Sequence, residues 1–546
     1  MKFLEKIKND IFKCLVYIYF LDILVYKNSI FKSTKYVLKL TNSYIFAIKK
    51  LHLKLPFTKF TRWLFIKYIV KKVSLSPNNS YILKKLWLDY FKETSDENIK
   101  MALSKLFYLC NLIDDEVTEN IIRFAQTTSN HSYRYWTTMD ISYMTFISQK
   151  GTYPNYYQDR KNLLKQIAQE NYFYIEPQQP RKNINDCLCI ITHQLEPNLY
   201  HSIQRVAVMI SNELYSKYKE IQIICLDSFY ISPKEETDIN MVFTHDYSYE
   251  HSKEITDFYK DNVKVYSPVG ETFKERLQNV LNKITEINPN VILDMSDEFS
   301  PISYNYSQCY KTIYMPIRNY VSSSFFSYFL THKEFTRKIN KLYSDIININ
   351  AIKEWYIPEY IPEKKELFTK SKLGFSDDKF IIVSIGNNSF DSEFIDKFSI
   401  LLKQQPNIIW LLVGTPATEY MHTCLKEFFR KQQVIEWGFE SNLSGLCNAC
   451  DIALRPNYSG GSGGTAIAAQ MGLPIVMTSY ICDASRWLGP DYSQIDTYQV
   501  LVNEIEKLYT NHDYYLERQR ITSDKVKMAT DAASKWTELA NILLKA

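Results

Sequence analysis

The sequence DIALRPNYSGGSGGTAIAAQMGLPIVMTS, residues 451–479, is the stretch of this 546-residue chain that says most about its fold. A short apolar run, DIALRP, is followed by a glycine-rich segment and then by the small-residue run TAIAAQM. The chain has only 13 glycines, and four of them lie in the glycine-rich segment, at positions 460, 461, 463 and 464. This order predicts a buried strand, a tight turn and a helix, the unit from which parallel α/β sheets are built.

The glycines and the start of the predicted helix suit a phosphate ligand. Glycine accepts positive φ angles and lets the backbone approach a ligand closely. The helix would begin at Thr465, where free backbone N–H groups and the positive end of the helix dipole attract anions. Such turns lie at the carboxyl edge of a parallel sheet, where ligands bind in α/β folds. The alternative is that the turn is only a tight connection between strand and helix.

Short β-branched runs alternate with amphipathic stretches from residue 187 onward, which predicts two series of parallel strands. The first series is predicted at 187–192, 221–226, 263–267, 291–295 and 312–316. The second is predicted at 379–386, 407–414, 433–438, 451–456 and 473–479. The predicted domains are therefore an N-terminal Rossmann-like half over 183–360, a C-terminal Rossmann-like half over 361–525 and a closing helix over 526–546.

Residues 1–175 show apolar residues at helical spacing, as in YILKKLWLDYFKE, and predict an all-helical N-terminal domain. Its first part, residues 1–77, is a basic arm with 16 Lys and Arg against 3 Asp and Glu, in a chain of net charge +5. The apolar run at 14–26 contains Asp22 and is too short to span a bilayer. No cleavage site for a secretory signal follows it, so we expect a cytoplasmic protein.

Three roles fit the basic arm. The first is a positively charged face of the folded helical domain. The second is peripheral contact with anionic lipid on the inner face of the membrane, which a mixture of lysines with aromatic and aliphatic residues suits. A nucleic-acid surface has only charge in its favour, since no recognition motif accompanies it, and no nucleic acid is expected among the partners.

Residues 451–479 resemble the donor-binding segment of GT-B glycosyltransferases. The preceding runs FIIVSIG, IIWLLVG and VIEWGF stand where the C-terminal half of that family has its strands, and a weaker likeness covers 187–316. The resemblance implies an α/β GT-B fold, here preceded by the all-helical domain, that binds a nucleoside-diphosphate sugar between its two halves. A helical domain ahead of the GT-B halves is similar to the architecture of soluble bacterial protein glucosyltransferases and O-GlcNAc transferases.

The resemblance also assigns donor-binding residues. Residues near Trp437 and Gly438 would lie close to the base, and the glycine-rich turn would hold the diphosphate. The candidates are Gly460, Gly461, Ser462, Gly463, Gly464, Thr465, Asn387, Trp437, Gly438 and Arg455.

Several positions depart from the pattern of retaining family members. Those members carry two glutamates in the donor segment, and Arg and Lys after the first strand of the C-terminal half. The departures stand at Ser459, Ile467, Asn387, Asn388 and Ser392. Arg455 and Lys397 remain as cations for the phosphates. The pattern therefore favours either an inverting enzyme or a GT-B protein without catalysis, and a sugar-nucleotide epimerase is a more distant alternative.

An inverting transfer needs a base for the acceptor hydroxyl, and histidine titrates in the right range. The segment after the first predicted strand supplies His193, Glu196 and His201, of which the resemblance places His193 best. The alternative is that His193 only ends a strand and His201 only begins a helix.

An acidic group, Asp294, Asp297 and Glu298, also ends a predicted strand that would face the cleft. These acids are not spaced as Asp-x-Asp, and GT-B enzymes balance the charge of the leaving group with dipoles and cations. We therefore predict no metal ion here and interpret the three acids as part of a solvated loop.

The predicted function is transfer of a sugar from a nucleoside-diphosphate sugar, expected to be a UDP-sugar, to a glycan, lipid-linked or protein acceptor. In a bacterial cell this would serve envelope polysaccharide synthesis or protein glycosylation. The sugar nucleotide is a substrate, and no separate cofactor is expected. The alternative is a non-catalytic GT-B protein that binds a partner glycosyltransferase or a glycan.

Overall fold

A computed structural model of the chain covers most of the residues from Pro77 onward. It describes residues 77–97, 100, 101, 103, 104, 107, 112–131, 133–135, 137, 138, 141, 154–170, 173–179, 181, 183–192, 202–226, 262–268, 270, 272–296, 300–316, 325–331, 348–359, 366–386, 390–455, 463–478, 484–489, 495 and 497–545. The predicted basic arm lies outside these residues except for Pro77. Within the described ranges, none of the helices combines the length and apolarity needed to cross a bilayer.

Three helices are described in the N-terminal region: α1 (Pro77–Glu93), α2 (Asp115–Thr127) and α3 (Pro154–Glu170). Asp114 precedes α2, and its carboxylate accepts a hydrogen bond from the Val117 N–H at 3.1 Å, which caps the helix. The buried residues of these helices share one hydrophobic core with Cys189 and Ile191 of the following sheet. The predicted helical region therefore packs directly on the first α/β half.

Seven strands and three helices are described in the first half. In chain order they are β1 (Cys187–Thr192), α4 (Ser202–Leu214), β2 (Glu220–Cys225), β3 (Val263–Tyr266), α5 (Phe273–Ile287), β4 (Val291–Met295), α6 (Ser303–Cys309), β5 (Thr312–Tyr314), β6 (Tyr328–Thr331) and β7 (Ile352–Glu354). A 3-10 turn (Ile349–Ala351) precedes β7. The strands form one parallel sheet in the order β3-β2-β1-β4-β5-β6-β7.

The second half begins after a 3-10 turn (Ser371–Leu373) and contains five strands. Its elements are β8 (Phe380–Gly386), α7 (Ser392–Gln404), β9 (Ile408–Gly414), α8 (Glu419–Cys424), α9 (Lys426–Arg430), β10 (Val434–Gly438), α10 (Leu443–Asn448), β11 (Ile452–Arg455), α11 (Gly463–Gln470), β12 (Ile475–Met477), α12 (Ser485–Leu488), α13 (Tyr498–Thr510), α14 (His512–Ala529) and α15 (Ala532–Lys545). The strands form a parallel sheet in the order β10-β9-β8-β11-β12.

Both faces of each sheet are buried, which explains the continuous apolar runs that predicted the strands. In β1, Leu188 and Ile190 face a core that includes residues of α4 and α15, and Cys189 and Ile191 face the helical region. All ten predicted strands are confirmed to within a few residues. The prediction missed β6 and β7 because YFLT and IKE are short, and β7 is a partly exposed edge strand.

The predicted closing helix is divided in the structure. Helix α14 ends at Ala529, and a new helix begins after Asp531, whose carboxylate accepts from the Ser534 N–H at 3.2 Å. The two helices serve different halves: Ala529 belongs to a core of the second half, and Trp536 to a core of the first. The chain therefore returns to its first half at the end.

A second chain segment, residues 355–359, lies beside the junction between α14 and α15. The backbone N–H of Glu359 donates to Ala529 O at 2.9 Å, and the indole N–H of Trp355 donates to Lys535 O at 2.9 Å. Trp355 is buried in the core of the first half, whereas Tyr356 packs on a core of the second. Successive side chains thus tie the two halves together at this junction.

The helical region is joined by a charged group around Glu170, the last residue of α3. Its carboxylate accepts hydrogen bonds from Arg134 and, at 2.9 Å, from Gln166, and lies 3.0 Å from His131 Nδ1. Arg134 also donates to Ala125 O at 2.9 Å near the end of α2. Partial burial raises the pKa of Glu170, but the hydrogen bonds and the charge of Arg134 outweigh it, so its pKa lies below its ordinary value.

We expect Glu170→Gln to lower the free energy of unfolding at neutral pH by about 1–3 kcal/mol, the range for hydrogen bonds to charged groups. Because the folded-state pKa lies below the ordinary value of 4.5, the contribution of Glu170 is present above that pH. It is lost as the pH falls through the lowered pKa. Urea unfolding of both proteins at several pH values checks this, and an equal difference at pH 7 and pH 3 would contradict it.

Candidate functional site

Each sheet has one point where the order of its strands reverses. In the second sheet the chain passes from β8 to β9 on one side and later returns to β11 on the other side of β8. In the first sheet β1 lies in the same way between β2 and β4. The connections that follow two such neighbouring strands run over opposite faces of the sheet and leave a crevice at the carboxyl ends of the strands. Proteins with α/β folds bind ligands in such crevices. The topology thus marks a β8/β11 crevice and a β1/β4 crevice.

The β8/β11 crevice opens because the two strands part before they end. Their pairing stops at Ala453↔Val383, whereas β8 continues beside β9 to Gly386↔Gly414 and β11 continues beside β12 to Arg455↔Met477. The start of α11 approaches β8 closely in this region. A Cβ atom added at Gly464 would lie 2.7 Å from Ile385 Cγ2, so only glycine permits this approach.

A buried cation lies at the base of this crevice. Arg455 is the last residue of β11 and is 8% exposed, and its Nη1 donates to the Thr465 hydroxyl at 2.8 Å. Thr465 is the third residue of α11, so the guanidinium is fixed beside the end of the helix that carries free N–H groups. Cation and helix dipole together favour an anionic ligand.

The edge formed by β8 and β9 is shaped by two glycines. Gly386 and Gly414 are partners in the register and have positive φ angles of 110° and 111°. A Cβ atom at Gly414 would lie 2.5 Å from Gly386 O, so the two strand ends approach too closely for a side chain at position 414. The backbone N–H of Thr415 donates to the same carbonyl at 3.0 Å, which closes the edge next to the crevice.

Trp437 and Gly438 end β10, two strands away from β8 and hence roughly 10 Å from the crevice. Gly438 has a positive φ of 78°, and the indole N–H of Trp437 donates to Glu440 at 3.1 Å. Glu440 also accepts from the Asn442 N–H at 2.6 Å, so the turn after β10 is held from within. Phe439, between them, is 84% exposed.

At the β1/β4 crevice, Asp294 is the one member of the acidic group among the described residues, and its carboxylate is hydrogen-bonded within the protein. Asp294 is fully buried and accepts hydrogen bonds from the Ser296 N–H at 2.9 Å and the Tyr306 hydroxyl at 2.6 Å. Burial raises the pKa of Asp294, although these hydrogen bonds oppose the rise. Asp294 therefore fixes the end of β4 onto α6 and does not face solvent.

The structure brings together four of the predicted donor residues: Gly463, Gly464, Thr465 and Arg455. Positive φ angles, expected within the glycine-rich turn, are absent from Gly463 and Gly464, which are the first residues of α11. Lys397, the other predicted cation, lies on α7 with its ammonium 3.7 Å from Glu393. Outside the described residues lie Gly460, Gly461, Ser462, Asn387, His193, Glu196, His201, Asp297 and Glu298.

Two features of the site were missed by the sequence analysis. Gly386 and Gly414 shape the edge, and their signal was a glycine at the end of two successive strands. The second feature is Ser384, and its signal was that it is the one polar residue in the apolar run FIIVSIG. Among the described residues, no three His, Cys, Asp or Glu side chains are grouped as for a metal ion, and the metal-free site stays a prediction.

Known proteins were compared with the chain by sequence and by structure. Models of known families gave no match, nor did the sequences of curated proteins. A mutant of the O-GlcNAc transferase of Thermobaculum terrenum aligns with a TM-score of 0.51 and 11% identity over 94% of this chain and 98% of that chain.

Two further solved structures align over about two-thirds of the chain. Sucrose-phosphate synthase of Thermosynechococcus elongatus has a TM-score of 0.47 and 9% identity over 66% of this chain and 98% of its own. An Anabaena protein in complex with UDP and glucose has a TM-score of 0.46 and 11% identity over 66% and 100%.

The architecture of the chain agrees with its alignment with the O-GlcNAc transferase. Two parallel sheets follow each other in the chain, each with helices on both faces, and the last helix returns to the first half. The chain therefore has the GT-B fold of glycosyltransferases, with a helical N-terminal region packed on its first half.

Proposed function

We propose that the chain is a glycosyltransferase that moves a sugar from a nucleoside-diphosphate sugar, expected to be a UDP-sugar, to a glycan, lipid-linked or protein acceptor. The observation that carries this proposal is Arg455, a buried guanidinium held by Thr465 beside the start of α11 at the β8/β11 switch point. A guanidinium fixed beside the positive end of a helix dipole attracts an anion such as a diphosphate.

The proposed reaction is a substitution at the anomeric carbon. The bond from that carbon to the diphosphate oxygen breaks, a bond to the acceptor oxygen forms, and the acceptor proton passes to a base. Arg455 and the N–H groups at the start of α11 would stabilise the negative charge that develops on the leaving diphosphate. They are fixed before the reaction, so they need no reorganisation during it. No metal ion is required by this scheme.

The remaining parts of the proposal follow from the sequence. His193 is proposed as the base, with Glu196 and His201 as alternatives, because all three follow β1 in the sequence and β1 ends at the β1/β4 crevice. Trp437 and Gly438 are proposed to lie near the nucleotide base. The protein is proposed to act in the cytoplasm, with residues 1–77 on the anionic inner face of the membrane.

The second candidate function is a non-catalytic GT-B protein that binds a partner glycosyltransferase or a glycan. Ile467 favours it, because this side chain lies where retaining members have a glutamate and packs in the hydrophobic core of the second half. A carboxylate for the ribose is thus missing from α11, and loss of catalysis accounts for that directly.

The test is release of nucleoside diphosphate from a panel of sugar nucleotides by the wild type, Gly463→Trp, Gly463→Ala and His193→Ala. A Cβ atom at Gly463 meets no atom of the described residues within 4 Å, so a tryptophan can project from the start of α11 beside the crevice. We expect Gly463→Trp to abolish release, Gly463→Ala to retain it, and His193→Ala to lose it while still binding the donor. If the wild type neither releases nucleoside diphosphate nor binds any sugar nucleotide, the catalytic proposal is wrong and the non-catalytic GT-B protein is favoured.

A further inference from the structure

Ser384 forms a hydrogen-bonded bridge across three strands of the second sheet. It lies in β8 and is 2% exposed. Its hydroxyl donates to Leu454 O of β11 at 3.0 Å and accepts from the indole N–H of Trp410 of β9 at 3.0 Å. The bridge therefore joins β9, β8 and β11 within the sheet, directly beneath the β8/β11 crevice.

The bridge stands where the strands themselves have stopped pairing. The last pair of the β8/β11 ladder is Val383↔Ala453, one residue before Ser384 and Leu454. Beyond it, a side-chain hydroxyl links the two strands. Leu454 is followed in the chain by Arg455, so the hydrogen bond to Leu454 O fixes the peptide group that leads into the buried cation.

The next residue of β8 fixes the other side of the glycine-rich connection. Ile385 faces the opposite side of the sheet from Ser384 and contacts the start of α11 at Gly464. The connection from β11 to α11 begins after Arg455 and reaches the helix at Gly463. Ser384 and Ile385, two adjacent residues of β8, thus fix the positions of both ends of this connection.

Trp410 makes the bridge directional. A serine hydroxyl has one proton, and because the indole N–H already donates to Oγ, that proton is left for Leu454 O. Trp410 is fully buried, and its ring packs against Phe398 and Phe390 with centroids 4.9 Å and 5.2 Å away. The donor to Ser384 is therefore held in one position by the core.

We propose that Ser384 is a positioning residue for the diphosphate: it holds Arg455 and the start of α11 in register without touching the ligand. The proposal rests on the proposed function and deepens it, since it assigns the precision of the diphosphate site to β8. A small displacement of a charged group weakens its interaction with an anion, whereas the turn after β10, two strands away, keeps its geometry.

The test is the affinity of the full chain for two probes, UDP and uridine, measured by calorimetry. For Ser384→Ala we expect the Kd of UDP to rise about tenfold, the effect of about one buried hydrogen bond, and the Kd of uridine to stay unchanged. Trp410→Phe keeps the hydroxyl but removes its donor, and we expect a smaller change in the same direction. This second variant also keeps the test open if Ser384→Ala does not fold.

The control is Ser211→Ala. Ser211 is also fully buried and donates to a backbone carbonyl, Ala207 O at 2.7 Å, but it lies on α4 in the first half. It should leave both affinities unchanged. Unchanged UDP binding in Ser384→Ala would overturn the positioning role, as would equal losses for UDP and uridine that follow a lowered Tm. A wild type that binds neither probe nor any other nucleotide would remove the proposed function, and this inference with it.

Discussion

Gly464→Ala is expected to lower the rate of nucleoside-diphosphate release about 100-fold and the free energy of unfolding by about 1–3 kcal/mol. The added Cβ would lie 2.7 Å from Ile385 Cγ2 and 3.2 Å from Ile385 Cβ, so the start of α11 must move away from β8. That movement also displaces Thr465, the hydrogen-bond partner of Arg455. Turnover with the donor found by the panel and urea unfolding measure the two effects.

The neighbouring glycine supplies a matched control. In the part of the chain that the structure describes, a Cβ at Gly463 meets no atom within 4 Å, so Gly463→Ala makes the same chemical change at the start of the same helix without the clash with Ile385. We expect it to change the free energy of unfolding by less than about 1 kcal/mol. Ile385→Ala in the Gly464→Ala background removes the methyl group that clashes and should restore part of the turnover. Similar losses for the two alanine variants would show that the contact with Ile385 is unimportant.

Trp536→Ala is expected to destabilise the protein by about 3–5 kcal/mol, although the residue is close to the end of the chain. Trp536 is 4% exposed, and its ring lies 5.9 Å from that of Trp355 in a core of the first half. Truncation leaves a cavity between α15 and the first sheet. Thermal unfolding and urea titration of the full-length protein check the size of the loss.

Met528→Ala is the control for this prediction. Met528 lies eight positions earlier, on α14, and is 67% exposed. We expect a change within about 0.5 kcal/mol, as for most surface substitutions. A loss in Trp536→Ala as small as that of Met528→Ala would mean that α15 contributes little to the first half.

Much of the fold could be predicted from local sequence, because both sheets are buried on two faces and their strands are continuous apolar runs. CLCIIT and VILDM gave β1 and β4 to the residue. The prediction lost accuracy where burial is one-sided or the element is short, as at β7, a three-residue strand with no buried residue. It also missed the division between α14 and α15, since the apolar spacing of two helices looks continuous when each faces a different core.

The site was predicted in part. The glycine-rich segment pointed to Gly463, Gly464, Thr465 and Arg455, because scarce glycines at the junction of a strand and a helix are a local signal. Ser384 and Gly414 were missed because each acts on another strand: the serine donates to Leu454 O, and the glycine lies close to Gly386 O. Asp294 looked like a residue exposed at a cleft, and its buried contact with Tyr306 depends on where α6 packs.

Three features could be predicted from local sequence patterns: the alternation of strands and helices, the place of the glycine-rich connection and the helical nature of the N-terminal region. Each depends on residues within about one turn or one strand of each other, so the pattern is readable along the chain. The tertiary structure alone decided the strand orders and hence the two crevices, the bridge from Trp410 through Ser384 to Leu454, and the return of α15 to the first half. These join residues far apart in the chain, and long-range packing, not local propensity, selects among the pairings that the same strands allow.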